Sequence, residues 1–468
     1  MLSRGHKPLM SESEFVSINP ASGNELARHP ALSPAETQEK ILCCHQAFLK
    51  WQKSSAQDRA SALLAIATQL EEDREQLACL ITQEMGKPLR ESRSELDKCA
   101  WVCRHFAAMG QQYLHEDGIE LDQFRADVIA SPLGVIFAVM PWNFPFWQVF
   151  RALAPALMVG NTLVLKGASN VPGCSQAIET LVRQAGLPDH VVCNLAIRAA
   201  DTEKVIANPL VRGVTLTGSE AAGRAVAALA GRHLKKCVLE LGGQDPYIIL
   251  EDADVALASQ KCVQSRMLCS GQVCIAAKRL IVVESVYDAF RSAVLQRLES
   301  VHSGDPMDEQ CSLGPLARRD LRDQVHRQVQ ASLGKGCELI QGGMIPDQPG
   351  WWYPATVLDN VQPGSVVFDD EVFGPVVSLV RAKDETEAIA LANMSRFGLG
   401  AAIFSANRSR ALALASQQLQ AGSIAINDFV KSDPRVPFGG CKDSGFGREL
   451  GKLGIHEFVN FKSIVMAD

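Results

Sequence analysis

Residues 133–166, LGVIFAVMPWNFPFWQVFRALAPALMVGNTLVLK, carry the pattern on which the fold turns. Leu133–Val139 is a short apolar run with β-type residues, and Pro141-Trp142-Asn143-Phe144-Pro145 follows as a stiff turn. Trp147–Val159 then reads as a helix and Thr162–Leu165 as a second strand. Continuing outward, Cys174–Gln184 is helical, Val191–Leu195 β, Val214–Thr217 β, Glu220–Ala230 helical and Cys237–Leu239 β. Strands alternating with helices across tight turns predict βαβ units in a parallel, doubly wound sheet. Ligands of such sheets sit beyond the carboxyl ends of the strands, so the residues just after each strand matter most.

A second alternating block runs from Pro246 to about Phe438, with β-type segments at Tyr247–Leu250, Leu280–Val283, Val376–Val380, Ala401–Phe404 and Ser423–Ile426. It predicts a second α/β unit. Before both blocks, Ser33 to about Tyr113 is helical in period, opened by the capping box Ser33-Pro34-Ala35-Glu36 and including the long run Ala60–Leu80. Asp117–Ala130 reads as an arm or hairpin, and Phe458–Met466 as a strand pairing outside its own domain. Met1–Glu14 is expected to be a loose leader; Met1–Leu9 has no apolar segment of the kind a secretory signal needs.

The chain has 468 residues, of which 47% are apolar and 21% charged, enough apolar surface for a full core. A net charge of −6 without any polybasic stripe argues against nucleic-acid binding. The apolar stretch Val128–Leu165 is interrupted by Pro132, Pro141, Pro145 and Pro155, so it is not a membrane span. Fourteen cysteines in a chain of this length do not make a disulfide scaffold, and reduced thiols in the cytoplasm are expected. Cys99, Cys103 and His105 lack a fourth ligand at usable spacing, so packing is preferred over metal binding.

Several segments have chemical potential alongside a plainer reading. Thr217-Gly218-Ser219-Glu220 follows a strand and opens a helix, where backbone N–H groups could meet a phosphate; it is equally a simple strand–turn–helix. Glu240, between Leu239 and Leu241 and before Gly242-Gly243, is either structural or a carboxyl whose pKa burial raises toward that of a general base. Cys274, after Gly271-Gln272-Val273, is either a small buried hydrophobe or a nucleophile, and Cys269 upstream could pair with it transiently. Asn143 either caps the next helix or offers a preorganised amide N–H to a developing oxyanion.

Taken jointly, Pro141–Pro145, the Thr217-Gly218-Ser219 turn, Leu239–Gly243, Gly271–Cys274 and Glu371-Val372-Phe373-Gly374-Pro375 stand in the order and spacing of the aldehyde dehydrogenase superfamily. The chain resembles that family over nearly its whole length. Its closing stretches Ser432–Gly440 and Ser444–Leu450 look most like bacterial succinate-semialdehyde dehydrogenases of the Sad type. The resemblance implies an α/β protein with a Rossmann-type cofactor domain at 1–111 and 131–241 and a catalytic domain at 242–441. It also implies an oligomerisation arm and tail at 112–130 and 442–468, and a homodimer or homotetramer. It makes Cys274 the nucleophile, Glu240 the general base and Asn143 an oxyanion donor. NAD or NADP would be held by Lys166, Ser169, Ser219 and Glu371, with Phe373, Trp142, Thr217, Gly218 and Gly242 lining the same channel.

Two departures from the family pattern bear on specificity. NAD-preferring members place an acid three residues after the lysine; here Ser169 stands there, so NADP should be admitted beside NAD. Related enzymes carry an arginine six residues before the cysteine, and here that position is Leu268. Arg151 is the only charged residue between Val128 and Leu165. An unpaired guanidinium there is costly, which points to a substrate carboxylate as its partner; the plainer reading is an ion pair with a distant acid. Lys431, Ser432 or Arg435 would replace the missing second charge, with Phe144 and Phe438 in the same pocket. The expected reaction is oxidation of a short carboxylated aldehyde, succinate semialdehyde foremost. Glutarate semialdehyde or an uncharged aldehyde is the alternative within the class, and a cofactor-free thiol hydrolase the alternative outside it.

Overall fold

The computed structural model describes residues 14–115, 118–120 and 124–467; most of the expected leader Met1–Glu14 lies outside them. Two sheets organise the molecule. The first is six-stranded, in the spatial order Gly445–Phe446, Lys236–Glu240, Val211–Thr217, Val135–Val139, Thr162–Lys166 and Val192–Asn194. Every pair is parallel except the short edge strand Gly445–Phe446, which runs antiparallel to Lys236–Glu240. The chain order reverses between Val135–Val139 and Val211–Thr217, and a crevice opens beyond their carboxyl ends at that point. Pro141–Asn143 and Gly218–Ser219 both leave their strands into it.

The second sheet is seven-stranded, with Pro246–Ile249 and Arg279–Val283 at its centre and the antiparallel strand Glu338–Gln341 at one edge. Four helices precede the sheets: Pro34–Trp51, Ala56–Glu72, Arg74–Met85 and Leu89–Leu114. Ser33 closes the expected capping box with Glu36. The run read as one periodic segment over Ala60–Leu80 breaks at Asp73, which ends one helix and starts the next. Trp147–Val159 is buried along its entire length between the first sheet and Leu89–Leu114, which explains why it carries almost no polar face.

Phe124–Pro132 and Val459–Ala467 pair antiparallel over their whole length, and Ile119–Glu120 joins them in a three-stranded sheet. The tail strand therefore pairs within its own chain, away from both larger sheets. Among the described residues no helix is long and apolar enough to cross a membrane.

Candidate active site

Cys274 follows an unusual piece of backbone. Cys269, Ser270 and Gly271 are all left-handed, with φ of 51°, 54° and 74°. Two non-glycine residues in that region cost on the order of 1–3 kcal/mol each, and such strain persists only where the surroundings impose it. Here they do. Glu91 accepts from the Cys269 N–H at 2.8 Å, the Ser270 hydroxyl donates to Gly314 O at 2.8 Å, and a Cβ on Gly271 would collide with Gly374 O. The kink delivers Cys274, half-buried, to the meeting point of two cavities.

The first cavity, about 390 Å³, lies at the crevice of the first sheet. It gathers Trp142, Asn143, Thr217, Gly218, Ser219, Gly242, Glu371 and Phe373 around Cys274. Trp142 and Phe373 meet edge to face with centroids 5.7 Å apart. Ser219 caps Glu220–Arg232, accepting from Ala222 N at a long 3.4 Å. Glu371 is fixed by Lys278 Nζ at 2.8 Å and by the Gly243 N–H at 3.2 Å, and Lys278 also donates to Cys274 O. A Cβ on Gly242 would stand 2.4 Å from the Glu371 carboxylate, so only glycine lets the two walls approach. A capped helix start, a glycine wall and a pair of aromatic edges suit a dinucleotide. Lys166 ends its strand beside Val139, desolvation holding its pKa below the usual range. Ser169 lines a separate cavity of about 160 Å³, with Gly167 and Lys40.

Asn143 is buried, and its Nδ2 donates to Gln272 O at 2.9 Å. Gln272 in turn donates to Cys269 O at 3.0 Å. One amide hydrogen therefore locks Asn143 to the segment leading to Cys274 and leaves the other for a ligand. Behind this turn Lys87 and Glu95 form a buried ion pair; Lys87 also donates to Asn143 O at 3.2 Å, and Glu95 accepts from the Phe146 and Trp147 N–H groups at 2.8 Å. The stiffness of the turn thus comes from two earlier charged side chains, Lys87 between two helices and Glu95 on the second of them, as well as from its prolines.

The second cavity, about 220 Å³, is mostly apolar and includes Phe144, Trp147, Leu268 and Phe438. Its charged lining comprises the bases Arg151, Lys98 and Lys431 and the acids Glu91 and Glu95, the latter paired with Lys87. The premise of an unpaired Arg151 does not hold. Phe438 and Glu449 exchange backbone hydrogen bonds at 2.7 and 2.8 Å, and this bridge brings the Glu449 carboxylate onto Arg151 Nε as a fully buried ion pair. Arg151 Nη2 also donates to Thr217 Oγ1 at 3.3 Å, and the guanidinium lies 5.0 Å from the Phe438 ring centroid.

The other candidate cations have partners too. Lys431 pairs with Asp428 at 2.7 Å. Arg435 pairs with Asp433 at 2.6 Å on the exposed side, against Trp101, and is absent from the lining of both cavities. Ser432 is buried and accepts from Lys98 Nζ at 2.8 Å and from Trp147 Nε1 at 3.2 Å. Lys98 went unnoticed in the sequence. The available signal was the spacing of Glu91, Glu95 and Lys98, which follows one stripe of the helix that also carries buried Val102.

Glu240 stands just behind the cavity wall formed by Leu241 and Gly242, packed over Gly439, with neither carboxyl oxygen hydrogen-bonded. Burial and the neighbouring Glu449 hold its pKa well above the ordinary range, while Arg151 pulls the other way. Arg448 draws it down as well, but burial and Glu449 outweigh both guanidinium groups, so the surroundings favour the protonated form of Glu240. Burial likewise pushes the Cys274 thiol up to about 12, with Lys278 and Arg151 lowering it and Glu371 and Glu240 raising it. The sulfur and Glu240 therefore sense each other's charge. The weighed metal ligands Cys99 and Cys103 are buried in the core, and no metal-binding group of three or more side chains occurs among the described residues.

This geometry has counterparts in known proteins. An NADP(+) succinate-semialdehyde dehydrogenase of Deinococcus radiodurans is 42% identical over 453 residues, 97% of this chain and 95% of the relative. The Escherichia coli K12 protein named succinate semialdehyde dehydrogenase NAD(P)+ Sad is 42% identical over 449 residues, covering 96% and 97%. The crystal structure of a Streptococcus pyogenes succinic semialdehyde dehydrogenase in complex with NADP+ superposes with a TM-score of 0.95 at 37% identity, covering 97% of this chain and 100% of that one. With the family's model matching residues 9–464, the chain belongs to the aldehyde dehydrogenase family.

Proposed function

We propose that this protein oxidises succinate semialdehyde to succinate with NADP or NAD as acceptor, through a covalent intermediate on Cys274. The observation that carries the proposal is the position of Cys274 where the crevice of the first sheet meets a mostly apolar cavity with three basic side chains, Arg151, Lys98 and Lys431, beside Glu91 and Glu95. Names of relatives on both the sequence and the structure side support the same substrate.

In this reading the Cys274 proton passes to the ionised form of Glu240, and the sulfur bonds to the aldehyde carbon. Asn143 Nδ2 and the Cys274 N–H receive the negative charge that develops on the oxygen. When bound, a nicotinamide would supply the hydride acceptor; Glu371 would hold its ribose, and Trp142, Thr217 and Phe373 would line its site. Once that first proton has left for solvent, the ionised Glu240 takes a proton from the water that cleaves the thioester, Cys274 leaves as its thiolate, and the carboxylic acid is released. Lys166, Ser169, Gly218, Ser219 and Gly242 serve the rest of the cofactor. Arg151, Phe144, Lys431, Ser432 and Phe438 surround the substrate, and Arg435 bears on it only through the loop it shares with Ser432.

The deciding experiment offers aldehydes with and without a terminal carboxylate, and follows nucleotide reduction with NAD and NADP separately. Succinate semialdehyde should exceed butanal in kcat/KM by at least about tenfold, the worth of one charge-assisted contact. Equal values would return the reading to an uncharged aldehyde, and a preference for the longer chain would favour glutarate semialdehyde.

Both nucleotides should support turnover, because Ser169 places no negative charge against a 2′-phosphate. Ser169→Glu should raise the KM for NADP by on the order of tenfold or more and change that for NAD far less. Failure of the wild-type protein to turn over with NADP would refute this role for Ser169.

The division into cofactor domain, catalytic domain and arm belongs to the same proposal; the two large sheets and the small one support it, while Gly445–Phe446 of the proposed tail lies at the edge of the first large sheet. The small sheet exposes Ile129, Phe461, Ile464, Val465 and Met466. Such a patch supports self-association as a dimer or tetramer, which sedimentation would measure. All fourteen cysteines are free thiols, in keeping with a reducing, cytoplasmic setting.

A further inference from the structure

Three basic side chains line the substrate-side cavity, and among the described residues two of them already have a carboxylate. Arg151 is neutralised by Glu449 and Lys431 by Asp428. Lys98 is the exception. Its ammonium donates to the Ser432 hydroxyl at 2.8 Å and lies 4.3 Å from the Trp147 ring centroid; among the described residues no carboxylate comes within ion-pairing distance, Asp433 and Glu95 acting on it only from farther away. An ammonium has three N–H donors, and Ser432 takes one. A half-buried charge over an indole and against a hydroxyl is poorly compensated. Desolvation, helped by Arg151, brings its pKa down to about 8, so a carboxylate arriving there would restore the missing counter-charge.

We propose that Lys98 is a specificity-determining residue that forms the ion pair with the carboxylate end of the aldehyde substrate. Arg151 contributes hydrogen-bond donors at this end of the cavity, but its positive charge is spent on Glu449. Lys98 supplies a positive charge without a paired carboxylate to the cavity that Leu268 also lines. Ser432 orients the ammonium through its hydroxyl, and Trp147 holds the hydroxyl from the other side. This inference rests on the carboxylated-aldehyde reading above and names the group that enforces it.

Lys98→Met removes the charge and keeps the length of the side chain; Lys98→Arg keeps the charge. In Lys98→Met, kcat/KM for succinate semialdehyde should fall on the order of tenfold to a hundredfold, mainly through KM, while butanal is oxidised as before. Inhibition by succinate should weaken by a similar factor, and Lys98→Arg should recover most of both. Equal losses with the two aldehydes would reduce Lys98 to a support for Ser432 and Trp147, and no loss with either would remove it from the site. If the wild-type protein itself shows no preference for succinate semialdehyde over butanal, the substrate reading fails and Lys98 falls with it. If wild type has the preference and Lys98→Met keeps it, only the assignment of Lys98 fails.

Discussion

Cys274→Ala should lower aldehyde-dependent nucleotide reduction by on the order of 10⁴-fold or more while leaving the fold intact. The size follows from the chemistry: hydride cannot leave an aldehyde carbon readily until a nucleophile has made it tetrahedral, and no other thiol lines either cavity. Cys269 is the nearest alternative in sequence. It is buried, its sulfur lies 3.9 Å from Met85 Sδ and 3.5 Å from Asn143 O, and burial pushes its pKa far above the ordinary thiol range. It cannot take over. Because Cys274 is half-buried and its side chain makes no hydrogen bond among the described residues, its loss should move the unfolding temperature by only a few degrees. Calorimetry and nucleotide titration separate the two effects: melting and NADP affinity near wild type, with oxidation gone, is the expected pattern. Oxidation surviving in Cys274→Ala would overturn the covalent mechanism. Ester cleavage without nucleotide, combined with no aldehyde oxidation in the wild-type protein, would make the chain a thiol hydrolase.

The parts of this site that could be read in the sequence are those held by the backbone. Asn143, Thr217, Ser219 and Glu240 each sit at or just beyond a strand's carboxyl end, so recognising an apolar run and a turn was enough to locate them. Trp147–Val159 and Ser423–Ile426 were legible to the residue because sharp turn or polar boundaries flank them. Glu338–Gln341 carries only two apolar residues between Glu338 and Gln341 and shows no such pattern, although it is no shorter than Ser423–Ile426 at the opposite edge of the same sheet. What sequence could not supply was pairing between side chains far apart in the chain. Arg151 looks unpartnered over its whole neighbourhood, and only the Phe438–Glu449 bridge reveals its acid. Lys98 looks like one more helical surface lysine until Ser432 is brought against it. The tail strand read correctly as β, but strand propensity says nothing about which partner it takes, and Phe124–Pro132 is in the same chain.

Arg151→Met should be the most destabilising single change near the site, and the reason lies with the partner left behind. The Arg151–Glu449 pair is almost wholly shielded, with side-chain exposures of 2% and 5%. Removing one member of a buried pair strands the other charge and costs about 3–5 kcal/mol, whereas replacing both by apolar groups is often neutral. Arg151→Met should therefore lower the unfolding temperature clearly, and Arg151→Met combined with Glu449→Met should recover much of the loss; additive losses would mean the two side chains do not form an energetic pair. The same cycle predicts two pH shifts of opposite sign. Activity needs Glu240 ionised and Cys274 as thiolate, both with raised pKa values, so kcat/KM should climb as pH rises. Arg151 lowers the pKa of Glu240 and Glu449 raises it. Loss of Arg151 should therefore move the rising limb to higher pH, and Glu449→Gln should move it lower. A pH profile that ignores both substitutions would separate Glu240 from this charge cluster and, with it, from the base role.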